Sequence, residues 1–464
     1  MKKSLSLENI LAAVPEATGG LLLGILRAAA VQKTTVYLVG GPVRDLLLDR
    51  ELVDVDLVVE GDARALAEAV LKHAESPELK LVSHDRFGTV RIEAPHARID
   101  LAQLRKESYA HPGALPDVEA GSLAEDAGRR DFGINALFCA LQAADPTQPM
   151  AILDLEGGLD DLAHRRLRIL HARSFHDDPT RIWRAARLAV RLGFSLDRKS
   201  RNVLRGALRD GAFGAVSGER WRRELQLTFE EARRGVHAGH ILRSLSDWHV
   251  LAALEPGLLV GADRMVPLRR LSCAIADPEW PAPKSRPWVA GLSIWLAALP
   301  AALRRRTLER FSIRGEQAHR IVQFGQEAER TLRALARARG RGAVDMVLGE
   351  LPEETIQALY ALAAGSVRRR ILRWGAEDRR RRAPVGGAEL AELGLSGPDV
   401  GRALARIRSG FLDGEIANRE EALALAEEMA KRAARRGANA RRKGSKRQKV
   451  ARRSAIADTS RDRR

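Results

Sequence analysis

An α+β fold is predicted, with a small mixed β-sheet head followed by a long all-α neck, body and tail. Three observations predict it. Residues 36 to 59, VYLVGGPVRDLLLDRELVDVDLVV, read as strand, glycine turn, helix and strand. Short β-branched runs continue as far as residue 160. Beyond it strands almost vanish and the chain reads as helix after helix in Ala, Leu and Arg.

At 464 residues the chain is too long for one compact core and suggests about three domains at ~150 residues each. The expected divisions are a leading helix at 1–30, an α/β head at 31–160, a helical neck at 161–235, a helical body at 236–378, a C-terminal helical element at 379–430 and a disordered basic tail at 431–464. A net charge of +18 favours a polyanionic partner, nucleic acid first. The distribution matters more than the total: residues 431–464 hold 15 Lys/Arg against two Asp and carry +13 of that charge. A sequence-independent RNA affinity, weakened by salt, is the reading for this tail.

The two cysteines, Cys139 and Cys273, lie in no CxxC or metal-ligand spacing. Both are expected to be buried and inert. Charges and Pro15 interrupt the N-terminal apolar run that a signal peptide needs. Pro287 to Leu303 is uncharged but short for a span and holds Pro300, so it reads as a buried helix. The expectation is a cytoplasmic protein with no membrane partner. The histidines form no ligand cluster; the pairs His84-Asp85 and His176-Asp177 lack the further ligands of a phosphohydrolase site.

In the head, Val36 to Val39 is a β run, Gly40-Gly41 breaks it, and Val43 to Leu48 is apolar at helical spacing. In the next run, Val53 to Val59, Val53, Val55 and Leu57 alternate with Asp54 and Asp56. A period of two places both carboxylates on one face, roughly 7 Å apart. Two like charges on a rigid support call for a counter-charge, and a divalent cation with oxygen ligands supplies one. The glycine turn offers backbone N–H groups at a helix N-terminus, suited to phosphate oxygens. An isolated DxD is more often the wet face of a strand; the upstream GGPVRD is what favours the chemical reading. Ala63 to His73 follows as a helix, then Lys80–Val82 and Thr89–Ile92 as a strand pair, and Arg98–Leu101 as a strand that brings Asp100 towards the first two aspartates. Ala102 to Arg129, rich in Pro, Gly and charge, reads as a mobile loop.

Together, GGPVRD with DVD, RRDFGINAL at 129–137, DLEGGLDDL at 154–162, DDPTRIWRAARLA at 177–189 and SGERWRRELQLTF at 217–229 resemble motifs A to E of the class II tRNA nucleotidyltransferase and bacterial poly(A) polymerase superfamily. ELGLSGPDVGRAL, from Glu392, is similar to the C-terminal element of many members. The resemblance implies a nucleotidyltransferase-type sheet in the head. It also implies transfer of C and/or A residues from CTP and ATP to the 3′ end of tRNA, gripped by its acceptor and T arms. Asp54 and Asp56 would hold Mg²⁺ as catalytic and metal residues, with Asp100 as a third carboxylate. Gly40, Gly41 and Arg44 would cradle the triphosphate, and Arg130, Asp131 and Asn135 the sugar and phosphates. Asp178 and Arg181 would select the base, supported by Arg184 and Arg187. Gly133 stands where the family usually has Thr. The glycines at 157 and 158 would form a turn, or a hinge, between head and neck.

The base selection also follows from chemistry. A carboxylate accepts from an exocyclic amine while a guanidinium donates to the adjacent ring nitrogen, which matches cytosine and adenine. Uracil and guanine present a carbonyl and a ring N–H there, leaving groups unpaired at ~1–3 kcal/mol each. Poly(A) polymerases share every catalytic motif, as do relatives that add only CC or only A. LVSHDRFGTVRI, after the DVD strand, lacks the basic run of the polyadenylating members. A non-catalytic RNA-binding factor would be expected to have lost Asp54 or Asp56.

Overall fold

The computed structural model describes residues 4–52, 54–73, 78–84, 88–141, 145–277 and 285–436. Two compact units result: Met1–Gly261 with Arg305–Arg314, and Ala262–Arg304 with Gly315–Arg464. The expected divisions at 160 and 235 fall inside the first unit, and that at 378 inside the second.

The first unit carries a seven-stranded mixed sheet. Its strands in chain order are β1 (Val36–Val39), β2 (Asp56–Val59), β3 (Lys80–His84), β4 (Thr89–Ala94), β5 (Ala97–Gln103), β8 (Leu137–Ala140) and β9 (Ile152–Asp154), with a separate hairpin of β6 (Arg105–Ser108) and β7 (Asp117–Ala120) between. The spatial order is β3-β4-β5-β2-β1-β8-β9. β2 and β5 run parallel and set Asp56 opposite Asp100; β1 is antiparallel to both β2 and β8. All four residues of β1 are buried, as a central strand covered on both faces requires. The helix Ala63–His73 buries Leu66, Ala67 and Val70 at helical spacing.

Several expectations change. The leading helix is two helices, Leu7–Ala12 and Glu16–Gln32. Ser6 caps the first through a reciprocal pair with Asn9, and Pro15, which has no N–H to donate, starts the second. The second strand begins at Asp56, not Val53, so Asp54 precedes it; Val53 itself lies outside the described residues. The stretch 102–129 is not a loop throughout. It completes β5, forms the β6–β7 hairpin and ends in the helix Leu123–Gly128, capped by Ser122 and Glu125. Cys139 is buried and its thiol is pushed up to about 12 by desolvation, whereas Cys273 is exposed. It follows the buried pair Leu271 and Ser272 and faces away from that stripe.

Beyond residue 160, among the described residues, only two-residue strands remain, Arg166–Leu167 paired with Ser195–Leu196. The neck helix Thr180–Leu192 packs Trp183 against Trp221 and Phe311, with ring centroids 6.0 and 5.9 Å apart. All three rings are fully buried, and the Trp183 indole N–H donates to the Thr228 hydroxyl at 2.7 Å. Such a cluster fixes the rotation of the helix that carries Asp178 at its start. In the second unit, every residue of the helix Pro287–Leu296 is buried. Arg408 grips Asp345 through two nitrogens, 2.5 and 2.8 Å, and the Trp374 indole donates to the same carboxylate at 2.8 Å. No described helix is long and apolar enough to cross a membrane. Most of the basic tail, 437–464, lies outside the described residues, as do the His84 side chain, Asp85 and part of the Pro-rich stretch, 278–284.

Candidate active site

Gly40 ends β1 with φ +68°, and its N–H donates to the Leu137 carbonyl at 2.9 Å. A Cβ there would sit 3.0 Å from the Arg130 guanidinium, so glycine is required by both conformation and space. Gly41 opens the helix Gly41–Leu47. Across the sheet, Asp56 starts β2 beside Asp100. Burial, then the charges of Asp100 and Asp54, raises the Asp56 carboxyl to about 6. Asp54, outside the strand, is 42% exposed and lies between two guanidiniums, Arg98 at 2.7 Å and Arg234 at 3.4 Å.

The turn Asp131–Asn135 is a network. Asp131 is buried; one oxygen accepts from the Phe132 N–H and the Asn135 amide, both at 2.9 Å, and the other from Arg184 at 3.0 Å. Burial would raise its carboxyl, but Arg184, Asn135 and Arg181 hold it below the usual carboxylate range. Arg130 donates to Asp126 at 2.7 Å and to the Asn135 carbonyl at 3.2 Å, and lies 4.7 Å from the Phe138 ring centroid. Asp126, fully buried, also takes Arg129. Sequence reasoning missed this carboxylate, although its spacing of three and four residues from the two arginines is the usual helical pairing signal.

Asp178 stands before the neck helix, and its Oδ1 accepts from the Thr180 N–H and hydroxyl and from Arg220 at 2.7 Å. Arg181 is buried and donates to the Ser174 hydroxyl and the Arg129 carbonyl, both at 2.8 Å. The Tyr109 hydroxyl lies 3.4 Å from it; neither Tyr109 nor Ser174 carried a sequence signal. Glu224 accepts from Arg187 at 2.8 Å, so the helix Gly218–Glu230 braces the neck helix through Arg220 and Glu224.

One cavity of about 540 Å³ gathers most of the expected residues. Gly40, Gly41, Asp56 and Asp100 line one part of it. Arg130, Asp131 and Asn135 line another, and Asp178, Arg181 and Arg184 a third. Arg44, Asp54 and Arg187 do not line it; they belong to a second chamber of about 290 Å³ that shares Gly41, Asp56, Asp131, Asn135 and Arg184 with the first. Arg44 is buried and donates to Asp45 at 2.8 Å and to the Asn135 amide oxygen. Asp100 is adjacent to Asp56 as expected, yet both its oxygens are taken by Arg91, at 2.7 and 3.1 Å. The register of β4 places Arg91 directly opposite Asp100, and one hydrogen bond to each oxygen leaves each a further lone pair.

Among the described residues no group of three or more His, Cys, Asp or Glu side chains is arranged to hold a metal ion. Asp54 and Asp56 nonetheless fit a hard cation. Asp56 is desolvated beside two like charges, and Mg²⁺ commonly takes one or two carboxylates and completes its shell with water and substrate phosphates.

Residues 36–168 match the family described as poly(A) polymerase head domain. An A-adding tRNA nucleotidyltransferase from Halalkalibacterium halodurans is 30% identical over 413 residues, covering 86% of this chain and 90% of the relative. The chain belongs to the tRNA nucleotidyltransferase family. A second relative, the A-adding tRNA nucleotidyltransferase of Geobacter sulfurreducens, is 31% identical over 90% of this chain, which spans about half, 48%, of that relative's length. Among solved structures, the Thermotoga maritima CCA-adding enzyme complexed with tRNA superposes with a TM-score of 0.65 at 26% identity, covering 92% of this chain and 99% of the other. Nucleotidyltransferases of this family generally use a divalent metal.

Proposed function

We propose that this member of the tRNA nucleotidyltransferase family adds C and/or A residues of the 3′-terminal CCA to tRNA, using CTP and ATP and releasing pyrophosphate. One observation carries the reading: Asp178 and Arg181 line the cavity that also holds the glycine turn and Asp56. A base-reading pair and a phosphate-and-metal site therefore address one ligand.

Asp54 and Asp56 would hold Mg²⁺, which would neutralise phosphate charge and favour loss of the attacking hydroxyl's proton to solvent. The RNA 3′-oxygen bonds to the α-phosphorus, the α–β bridge breaks, and pyrophosphate leaves with the electron pair. The Gly40–Gly41 turn cradles phosphate oxygens through backbone N–H groups. Arg130, Asp131 and Asn135 fix the sugar from a turn whose polar atoms are already paired, so little reorganisation accompanies binding. Asp178 accepts from the exocyclic amine and Arg181 donates to the neighbouring ring nitrogen. Tyr109, Ser174 and the Arg129 carbonyl hold the Arg181 guanidinium in place.

Three relatives bear A-adding names and a fourth a CC-adding name, so both A and C remain within this reading. Incorporation of each of the four labelled nucleotides onto tRNA tests the template: C and/or A should be accepted and U and G refused. Equal use of all four would sink the proposal.

A further inference from the structure

The second chamber holds two arginines, Arg191 and Arg234, that lie outside the expected site residues. It meets the nucleotide cavity at Asp56 and continues past Asp54. At about 290 Å³ it lies below the ~300–1,000 Å³ of pockets that enclose whole small molecules. Five arginines line it, Arg44, Arg184, Arg187, Arg191 and Arg234, together with four aspartates, Asp45, Asp54, Asp56 and Asp131.

The first three are committed to neighbours. Arg44 is forked onto Asp45, Arg184 donates through one nitrogen to Asp131 at 3.0 Å, and Arg187 donates to Glu224 at 2.8 Å. The other two are not. Among the described residues, the Arg191 side chain has a single long contact, 3.4 Å to a Glu231 oxygen that Arg187 approaches at the same distance, and its buried Nε has no hydrogen-bond partner. Arg234 reaches Asp54 at 3.4 Å, a distance at which a phosphate oxygen competes readily. Burial, and then the neighbouring Arg44 and Arg234 charges, press the Arg191 guanidinium down to about 10 against the pull of Glu231. It remains a cation at neutral pH. A desolvated cation with an unused donor, beside two further guanidiniums, is an arrangement that a small polyanion relieves.

We infer that Arg191 and Arg234 bind the β,γ end of the incoming nucleotide and then the pyrophosphate it becomes, holding the leaving group in this chamber. The inference rests on the nucleotidyl-transfer reading above and extends it to two residues outside the base-reading and sugar-binding sets. Arg234 exchanges Asp54 for a phosphate oxygen as the anion arrives. Arg191 supplies Nε from the wall.

Inorganic pyrophosphate is the probe. Its binding to the full chain in the presence of Mg²⁺ is measured by calorimetry, and its inhibition of nucleotide incorporation is measured in parallel. Arg191→Lys and Arg234→Gln should each weaken pyrophosphate binding about tenfold or more, while the affinity for AMP or CMP, which lack that end, stays at the wild-type value. Asp178→Ala should leave pyrophosphate affinity unchanged. The Arg234 side chain is 35% exposed, so its variant tests the chamber even if the Arg191 variant fails to fold, and thermal melting separates the two cases. Folded variants that bind pyrophosphate as tightly as wild type would overturn the inference alone. A wild-type protein that neither binds a nucleoside triphosphate nor extends RNA would instead remove the reading beneath it.

Discussion

Asp56 sits in the costliest electrostatic position of the site. Its carboxyl is raised to about 6 by burial and by Asp100 and Asp54, so the folded protein holds a proton there more tightly than the unfolded chain does. Between the ordinary value near 4 and about 6, the metal-free protein therefore loses stability from this group as pH rises, and the penalty is complete above that window. Asp56→Asn should stabilise the metal-free protein at pH 7.5 by about 1–2 kcal/mol, allowing for screening of a partly exposed group, and by little at pH 4. Melting curves at the two pH values check this, and the same variant should lose nucleotide incorporation while retaining tRNA binding. Equal melting shifts at both pH values would contradict the assignment of that raised carboxyl to Asp56. Asp178→Ala should blur base choice, read as the ratio of C and A to U and G incorporation. Unchanged selectivity would count against the template role. At this scale the motifs single out Asp54, Asp56, Asp178 and Arg181, and the fold brings the last three to one cavity. The sequence was silent on partners from distant segments: Arg91 against Asp100 and Arg220 against Asp178 arise from strand register and helix packing.

The elements around the turn Gly133–Asn135 are packed backbone to backbone. A Cβ on Gly158 would collide with the Gly133 carbonyl and come within 3.0 Å of the Leu137 side chain. A Cβ on Gly133 would collide with Asp161 and approach Arg168 at 2.9 Å. The glycine that replaces the family's usual Thr thus makes room for Asp161, which Arg166 holds at 2.5 Å. The Gly133 N–H also donates to the Arg168 carbonyl at 2.9 Å; Gly158 serves a close contact, and Gly157 takes φ +72°. Gly158→Ala should cost about 1–3 kcal/mol, seen as a lower denaturation midpoint, because neither backbone can move away without displacing Asn135. A neutral effect would contradict this packing. The β6–β7 hairpin was not legible in the sequence for a physical reason. Its strands, RKES and DVEA, show no apolar alternation, since the hairpin lies outside the main sheet and is largely exposed. β1, a run of β-branched and aromatic residues buried throughout, and the helix Ala63–His73, buried along a helical period, were legible.

Across the whole molecule, charge is unevenly placed. The tail from residue 431 carries +13 of the net +18. Removing residues 437–464 should flatten the dependence of tRNA affinity on salt, with incorporation at low salt little changed, because phosphate contacts by lysine and arginine release counterions. An unchanged salt slope, measured by filter binding across a salt series, would show that the tail does not contact RNA. The order of a sheet-bearing head followed by helices was legible from the shift in periodicity near residue 160. The compact units were not, since the first also takes in Arg305–Arg314, which packs Phe311 against Trp183 through contacts no local pattern announces. Most direct is an extension measurement on three RNAs: tRNA ending before CCA, tRNA ending in CC, and an unstructured RNA, each with Mg²⁺ and single labelled nucleotides. Addition of C and/or A confined to the tRNA 3′ end, and stopping at CCA, is the predicted result; long A tails on any of the three RNAs would contradict it.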